Sequence, residues 1–115
     1  MSILKETPIR KTVIRGNKPV IFDTFECVVV TDEYYRTNGE NVIIVKDVGD
    51  CTIELNSETT DRVKIKTLTN CTLLPDFNRI DEDWDEISVG RGACVELQNF
   101  GGVWYILSSD GVKFD

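Results

Sequence analysis

Four cysteines, at positions 27, 51, 71 and 94, each open a short apolar run, and the intervals between them are 24, 20 and 23 residues. The runs are Cys27-Val28-Val29-Val30, Cys51-Thr52-Ile53-Glu54-Leu55, Cys71-Thr72-Leu73-Leu74 and Cys94-Val95-Glu96-Leu97. Each has strand length, and a spacing of roughly 20 to 50 residues is where repeated supersecondary units occur. Two readings stay open at this level. One is a quasi-repeat of strand pairs, whose stacking would set thiols in one column of the core. The other is four separate strands that each begin with a small buried residue.

The last run belongs to a predicted hairpin. Val95 and Leu97 alternate with Glu96, Gly101-Gly102 closes a bend, and Val103 to Leu107 returns as a β-branched and aromatic strand. A second polar bend, Ser108 to Gly111, leads to Val112-Lys113-Phe114. Trp104, Tyr105, Ile106 and Leu107 are consecutive. Both faces of that strand therefore need cover, and Trp104 and Tyr105 read as core or subunit interface.

Upstream, Val42 to Val45 is a strand stopped by the bend at Asp47 to Asp50, and Asn38-Gly39 is a turn signal. Arg62 to Leu68 has the clearest period of two: Val63 and Ile65 face inward, Arg62, Lys64 and Lys66 outward. Asp76 to Glu86 is long, acidic and least like a strand, while Ile87-Ser88-Val89 resumes the β pattern before Gly90-Arg91-Gly92. No stretch requires a helix. The expected fold is all-β: a compact antiparallel β-sandwich or barrel with glycine-turn hairpins, with a β-prism of stacked strand pairs as the alternative. Residues 1–19, interrupted by Pro8, Gly16 and Pro19, read as a basic extended N-terminal arm, and residues 20–115 as a single β-rich domain.

Charge separates these two parts. The net charge is -7, yet Lys5, Arg10, Lys11, Arg15 and Lys18 all lie in the arm, against Glu6 alone. An acidic body disfavours a nucleic-acid surface. It leaves the five cations as candidate partner-binding residues for an acidic protein surface. No apolar run is long enough to cross a bilayer, and the N-terminus lacks a secretory signal, so synthesis in a cytoplasm and free, buried thiols are expected.

Catalytic chemistry finds little to build on. The chain has no histidine, which removes the commonest neutral-pH base, the Ser-His and Cys-His pairs and the His-containing zinc patterns. The cysteines form no Cys-x2-Cys knuckle. Asp81, Asp83 and Asp85 alternate as ligands of a hard cation would, but Glu86 and Gly92 occupy the places where a calcium loop needs glycine and glutamate. The stretch reads better as a solvated acidic loop anchored by Ile80 and Trp84. No carboxylate pair is singled out for glycoside cleavage, and Gly90-Arg91-Gly92 is no phosphate loop. No catalytic residue, metal or cofactor is assigned. Tyr34, Tyr35 and Trp84 are candidate glycan-binding residues, through ring stacking and hydroxyl hydrogen bonds, with partial burial at the core edge as the plainer role of the two tyrosines.

The series Val63-Lys64-Ile65-Lys66, Cys71-Thr72-Leu73-Leu74-Pro75, Ile87 to Leu97 and Gly101-Gly102-Val103-Trp104-Tyr105-Ile106-Leu107 resembles the small β-rich modules of tailed-bacteriophage virion proteins. These occur in tail fibres, neck appendages and head-decoration or head-fibre proteins. The likeness covers roughly residues 41 to 111. It implies a non-enzymatic structural protein of the virion, commonly a homotrimer, bound to other virion proteins such as capsid or connector. The chain departs from long fibres in having no coiled-coil shaft or glycine-rich stem, which points to a capsid-decoration or connector-associated subunit attached by the basic arm. A host-glycan or receptor-binding module of a tail or neck appendage is the alternative. Neither reading calls for nucleic acid or membrane as a partner.

Overall fold

The alternation at Arg62 to Thr67 is realised residue by residue: Val63, Ile65 and Thr67 are buried, while Arg62, Lys64 and Lys66 face solvent. The computed structural model describes residues 3–5, 12–15, 18–21 and 26–114, with side chains from 26 to 111. Its strands are β1 (Ile3–Lys5), β2 (Thr12–Arg15), β3 (Lys18–Ile21), β4 (Cys27–Val30), β5 (Tyr34–Arg36), β6 (Val42–Val45), β7 (Asp50–Leu55), β8 (Arg62–Thr67), β9 (Asn70–Pro75), β10 (Ile87–Phe100) and β11 (Val103–Phe114). The all-β expectation holds.

Strand direction differs from the antiparallel expectation. β4, β6 and β8 form one parallel ladder, with Cys27 beside Val42 and Val42 beside Lys64. β5, β7 and β9 form a second parallel ladder, with Tyr34 beside Thr52 and Thr52 beside Thr72. The chain thus lays one strand in the first ladder and the next in the second, through three stacked turns: β4–β5, β6–β7 and β8–β9. Connections of a few residues suffice because each joins neighbouring ladders, whereas a parallel return within one ladder needs a dozen or more. The ladders and the hairpin join into one nearly closed, barrel-like sheet, as the sandwich-or-barrel expectation has it.

One end of the stack is closed by the β10–β11 hairpin. The start of β10 pairs antiparallel with β9, Ile87 opposite Leu73, and its later half pairs antiparallel with β8, Val95 opposite Ile65. β11 follows β10 on the outside from Val103 to Phe114. Gly101 and Gly102, with φ of 63° and 86°, make the expected reversal. The other two glycine-bearing bends do not reverse the chain. At 90–93 and 110–111 both strands turn together from one ladder to the other, with a register break between Val89 and Cys94. Gly111, at φ 80°, lies so close to Ala93 that a Cβ there would meet the alanine methyl at 2.7 Å.

Inward residues of both ladders and the hairpin make one core, including Val30, Ile43, Ile53, Leu55, Ile65, Leu73, Val95, Leu97 and Trp104. At the other end, β1 pairs antiparallel with β4, Ile3 opposite Val30, and β2 and β3 form a separate two-stranded sheet. The sequence boundary at residue 19 lies inside β3. Lys5, Arg15 and Lys18 belong to described backbone, whereas Arg10 and Lys11 lie outside the described residues.

Candidate functional site

Connections on one side of the stack are tied into a continuous hydrogen-bonded column. Thr37, after β5, is buried and accepts from the Asn56 N–H at 2.8 Å and the Thr60 hydroxyl at 3.0 Å. The Thr60 hydroxyl accepts from the Gly39 N–H at 2.9 Å. Asn99, at the tip of the hairpin, donates to the Ser57 carbonyl at 2.8 Å and accepts from the Gly102 N–H at 3.0 Å. Asp76 accepts from both the N–H and the hydroxyl of Ser57. Buried backbone groups cost free energy when unpaired, so this column allows irregular chain to lie against the core.

Tyr35 and Glu40 form the innermost polar pair of the column. The Glu40 side chain is only 1% exposed and accepts from the Tyr35 hydroxyl and from the Asn38 N–H at 2.6 Å. Burial, and then that hydrogen bond, push the Tyr35 hydroxyl well above the usual phenol range. Tyr35 packs against the core, whereas Tyr34 is 53% exposed on the opposite face of β5. Burial and the neighbouring Glu54 raise the Tyr34 hydroxyl as well. Beside it, Arg36 donates to Glu54 at 2.6 Å.

The acidic stretch is a folded-back plug. Ile80 is fully buried, Trp84 packs against the core, and the two bridge each other across a tight turn in which Asp81 and Glu82 have φ of 54° and 63°. Asp81 donates its N–H to the Trp104 carbonyl at 2.8 Å and accepts the Ile106 N–H at 2.9 Å through Oδ1. Glu82 accepts from the Tyr105 hydroxyl, and Asp85 pairs with Arg79 at 3.2 Å. The carboxyl groups therefore diverge onto separate partners. Among the described residues no three cysteine or carboxyl side chains converge on one point.

The three aromatic candidates differ in burial: Tyr34 is exposed, whereas Tyr35 and Trp84 are partly buried and packed against the core. Tyr34 and Tyr35 lie on β5, the outermost strand of the second ladder, and the plug carrying Trp84 is bonded to β11. Asp50, Asn70, Thr72, Ser88 and Gly90, with Cys71 and Val89, line an open groove of about 430 Å³.

The thiol column is half realised. Cys51 and Cys71 are in register on β7 and β9 and each is 2% exposed. Cys27 and Cys94 belong to the first ladder's outward rows, beside Val42 and Lys66 respectively, so they join neither that pair nor each other. All four are free. The matched Cys-Thr-Ile and Cys-Thr-Leu runs, twenty residues apart, were the sequence signal for the real pair. No comparable signal marked Tyr35 with Glu40, or Asn99.

The chain matches no protein-family model and no curated protein.

Proposed function

We propose that this protein is a non-enzymatic structural subunit of a bacteriophage virion, a capsid-decoration or connector-associated homotrimer held to the particle through Lys5, Arg10, Lys11, Arg15 and Lys18. One observation carries the reading. The segments on which the likeness to virion modules rests are contiguous in space: β8 and β9 form the last turn of the stack, and β10 and β11 are the hairpin that closes it. In this assembly the polar side chains of Thr37, Thr60, Asp76 and Asn99 hold backbone groups of the connections. A short stack of this kind suits a building block that must keep its shape.

Phe77, on the connection after β9, and Phe100, the last residue of β10, are 57% and 76% exposed, and the Asn78 side chain donates to the Gly102 carbonyl. Under this reading they are the assembly surface, since neighbouring exposed aromatics favour subunit contact.

The attachment test replaces all five arm cations with glutamine. Removing the whole arm would also remove β1 and uncover the β4 edge, which confuses attachment with folding. The glutamine variant is expected to keep the body's circular dichroism and thermal midpoint and to lose binding to particles. Unchanged particle binding would reject the arm's role.

A further inference from the structure

The β7–β9 register places Cys51 directly beside Cys71, with both thiols free and almost wholly buried. Neighbouring strands lie about 4.8 Å apart, within the roughly 4.4–6.8 Å Cα separation that a disulfide spans. Such a bond would join the second turn of the stack to the third. Cys71 is also among the residues that line the open polar groove with Asp50, Asn70, Thr72 and Ser88, so the pair lies next to that groove.

We propose that Cys51 and Cys71 are a two-electron oxidation site at which a hydroperoxide converts the dithiol to a disulfide that staples adjacent turns. One thiolate attacks the peroxide O–O bond, giving a sulfenic acid and, from hydrogen peroxide, one water. The neighbouring sulfur then displaces the hydroxyl as a second water and forms the S–S bond. The two thiol protons leave in the waters, and two electrons pass from the sulfurs to the peroxide. The hydrogen bond from Cys71 lowers the Cys51 thiol, while that bond and burial raise Cys71. The disulfide closes a loop between residues 51 and 71 and so restricts the unfolded chain. The inference rests on ladder register and is independent of the virion reading.

The test uses the full chain carrying Cys27→Ser and Cys94→Ser, so that only the proposed pair can react. After hydrogen peroxide, then unfolding and alkylation, the expected product has lost two hydrogens, takes no alkyl group and yields one linked peptide pair containing Cys51 and Cys71. Its thermal midpoint should rise by several degrees and return with dithiothreitol. Recovery of two alkylatable thiols, or oxidation that stops at a sulfinic acid on one cysteine, would overturn the proposal. Because this readout is made with both cysteines present, it does not depend on substitutions at the pair folding. Cys51→Ala, which keeps a small apolar side chain, should abolish both the linked peptide and the reversible shift.

Discussion

Asp81 is bonded twice to the edge of β11: its N–H donates to Trp104 and its Oδ1 accepts the Ile106 N–H at 2.9 Å. The same edge would otherwise present unpaired backbone groups, the feature through which sheets aggregate. The acidic loop therefore covers an edge, and the Asp81 and Asp85 carboxylates go to different partners, the Ile106 N–H and Arg79. Asp81→Ala removes the acceptor and places alanine at a left-handed position. It should cost about 1.5 to 3 kcal/mol in urea unfolding, the range for a hydrogen bond to a charged group. Asp81→Asn keeps an acceptor and tolerates that backbone, so its loss should be well below that of alanine. Equal stability of both variants to the parent would show that the loop does not depend on this contact.

Trp104 is fully buried among core residues, and its indole N–H has no partner among the described residues. Trp104→Ala should lose about 3 to 5 kcal/mol, the usual cost of truncating a buried aromatic. Trp104→Phe retains much of the packing and forfeits no indole hydrogen bond, so it should lose clearly less. A loss below about 0.5 kcal/mol for alanine would place Trp104 at a surface.

The Tyr35 hydroxyl is raised above its unfolded value by burial and by Glu40. A raised pKa means that the folded state holds the proton more tightly. The associated stability is fully present below the ordinary phenol pKa of about 10 and is lost as pH climbs above it. Thermal midpoints should therefore fall steeply above that pH, and Tyr35→Phe should flatten the fall while lowering the midpoint at neutral pH, because Glu40 loses a buried donor. An alkaline profile identical in Tyr35→Phe and the parent would remove this pair as the cause.

Gly92 and Gly111 both have positive φ, 84° and 80°, but only Gly111 has a neighbour in the way of a side chain. Gly92→Ala should cost about 1 to 2 kcal/mol of backbone strain alone. Gly111→Ala adds a clash with Ala93 and should cost more, with denaturation midpoints as the readout. The reverse order would mean that β10 and β11 do not bend together at this seam.

Individual strands were legible because their faces are set by local alternation, as at Arg62 to Thr67, where one side meets the core and the other meets water. Direction was not. Cys27-Val28-Val29-Val30 and Val42-Ile43-Ile44-Val45 are apolar at every position, which carries no facing signal and fits strands covered on both sides. The cysteine intervals mixed two kinds of step: 51 to 71 is one full turn within a ladder, whereas 27 to 51 crosses from the first ladder to the second. Near-equal spacing therefore suggested one column where the register makes a pair. The acidic loop was legible at its anchors, since Ile80 and Trp84 are apolar residues in a polar stretch, and Ile80 is indeed buried and Trp84 packed on the core. Its hydrogen bonds to β11, and the Tyr35–Glu40 pair, depend on backbone placement that no residue pattern encodes.

The measurement that bears most directly on the virion reading is immunoblotting of a lysate from cells expressing the gene, separated by density gradient into banded particles and soluble protein. The account predicts signal in the particle band, lost when Lys5, Arg10, Lys11, Arg15 and Lys18 are all changed to glutamine. Signal confined to the soluble fraction, with the parent protein folded and abundant, would contradict it.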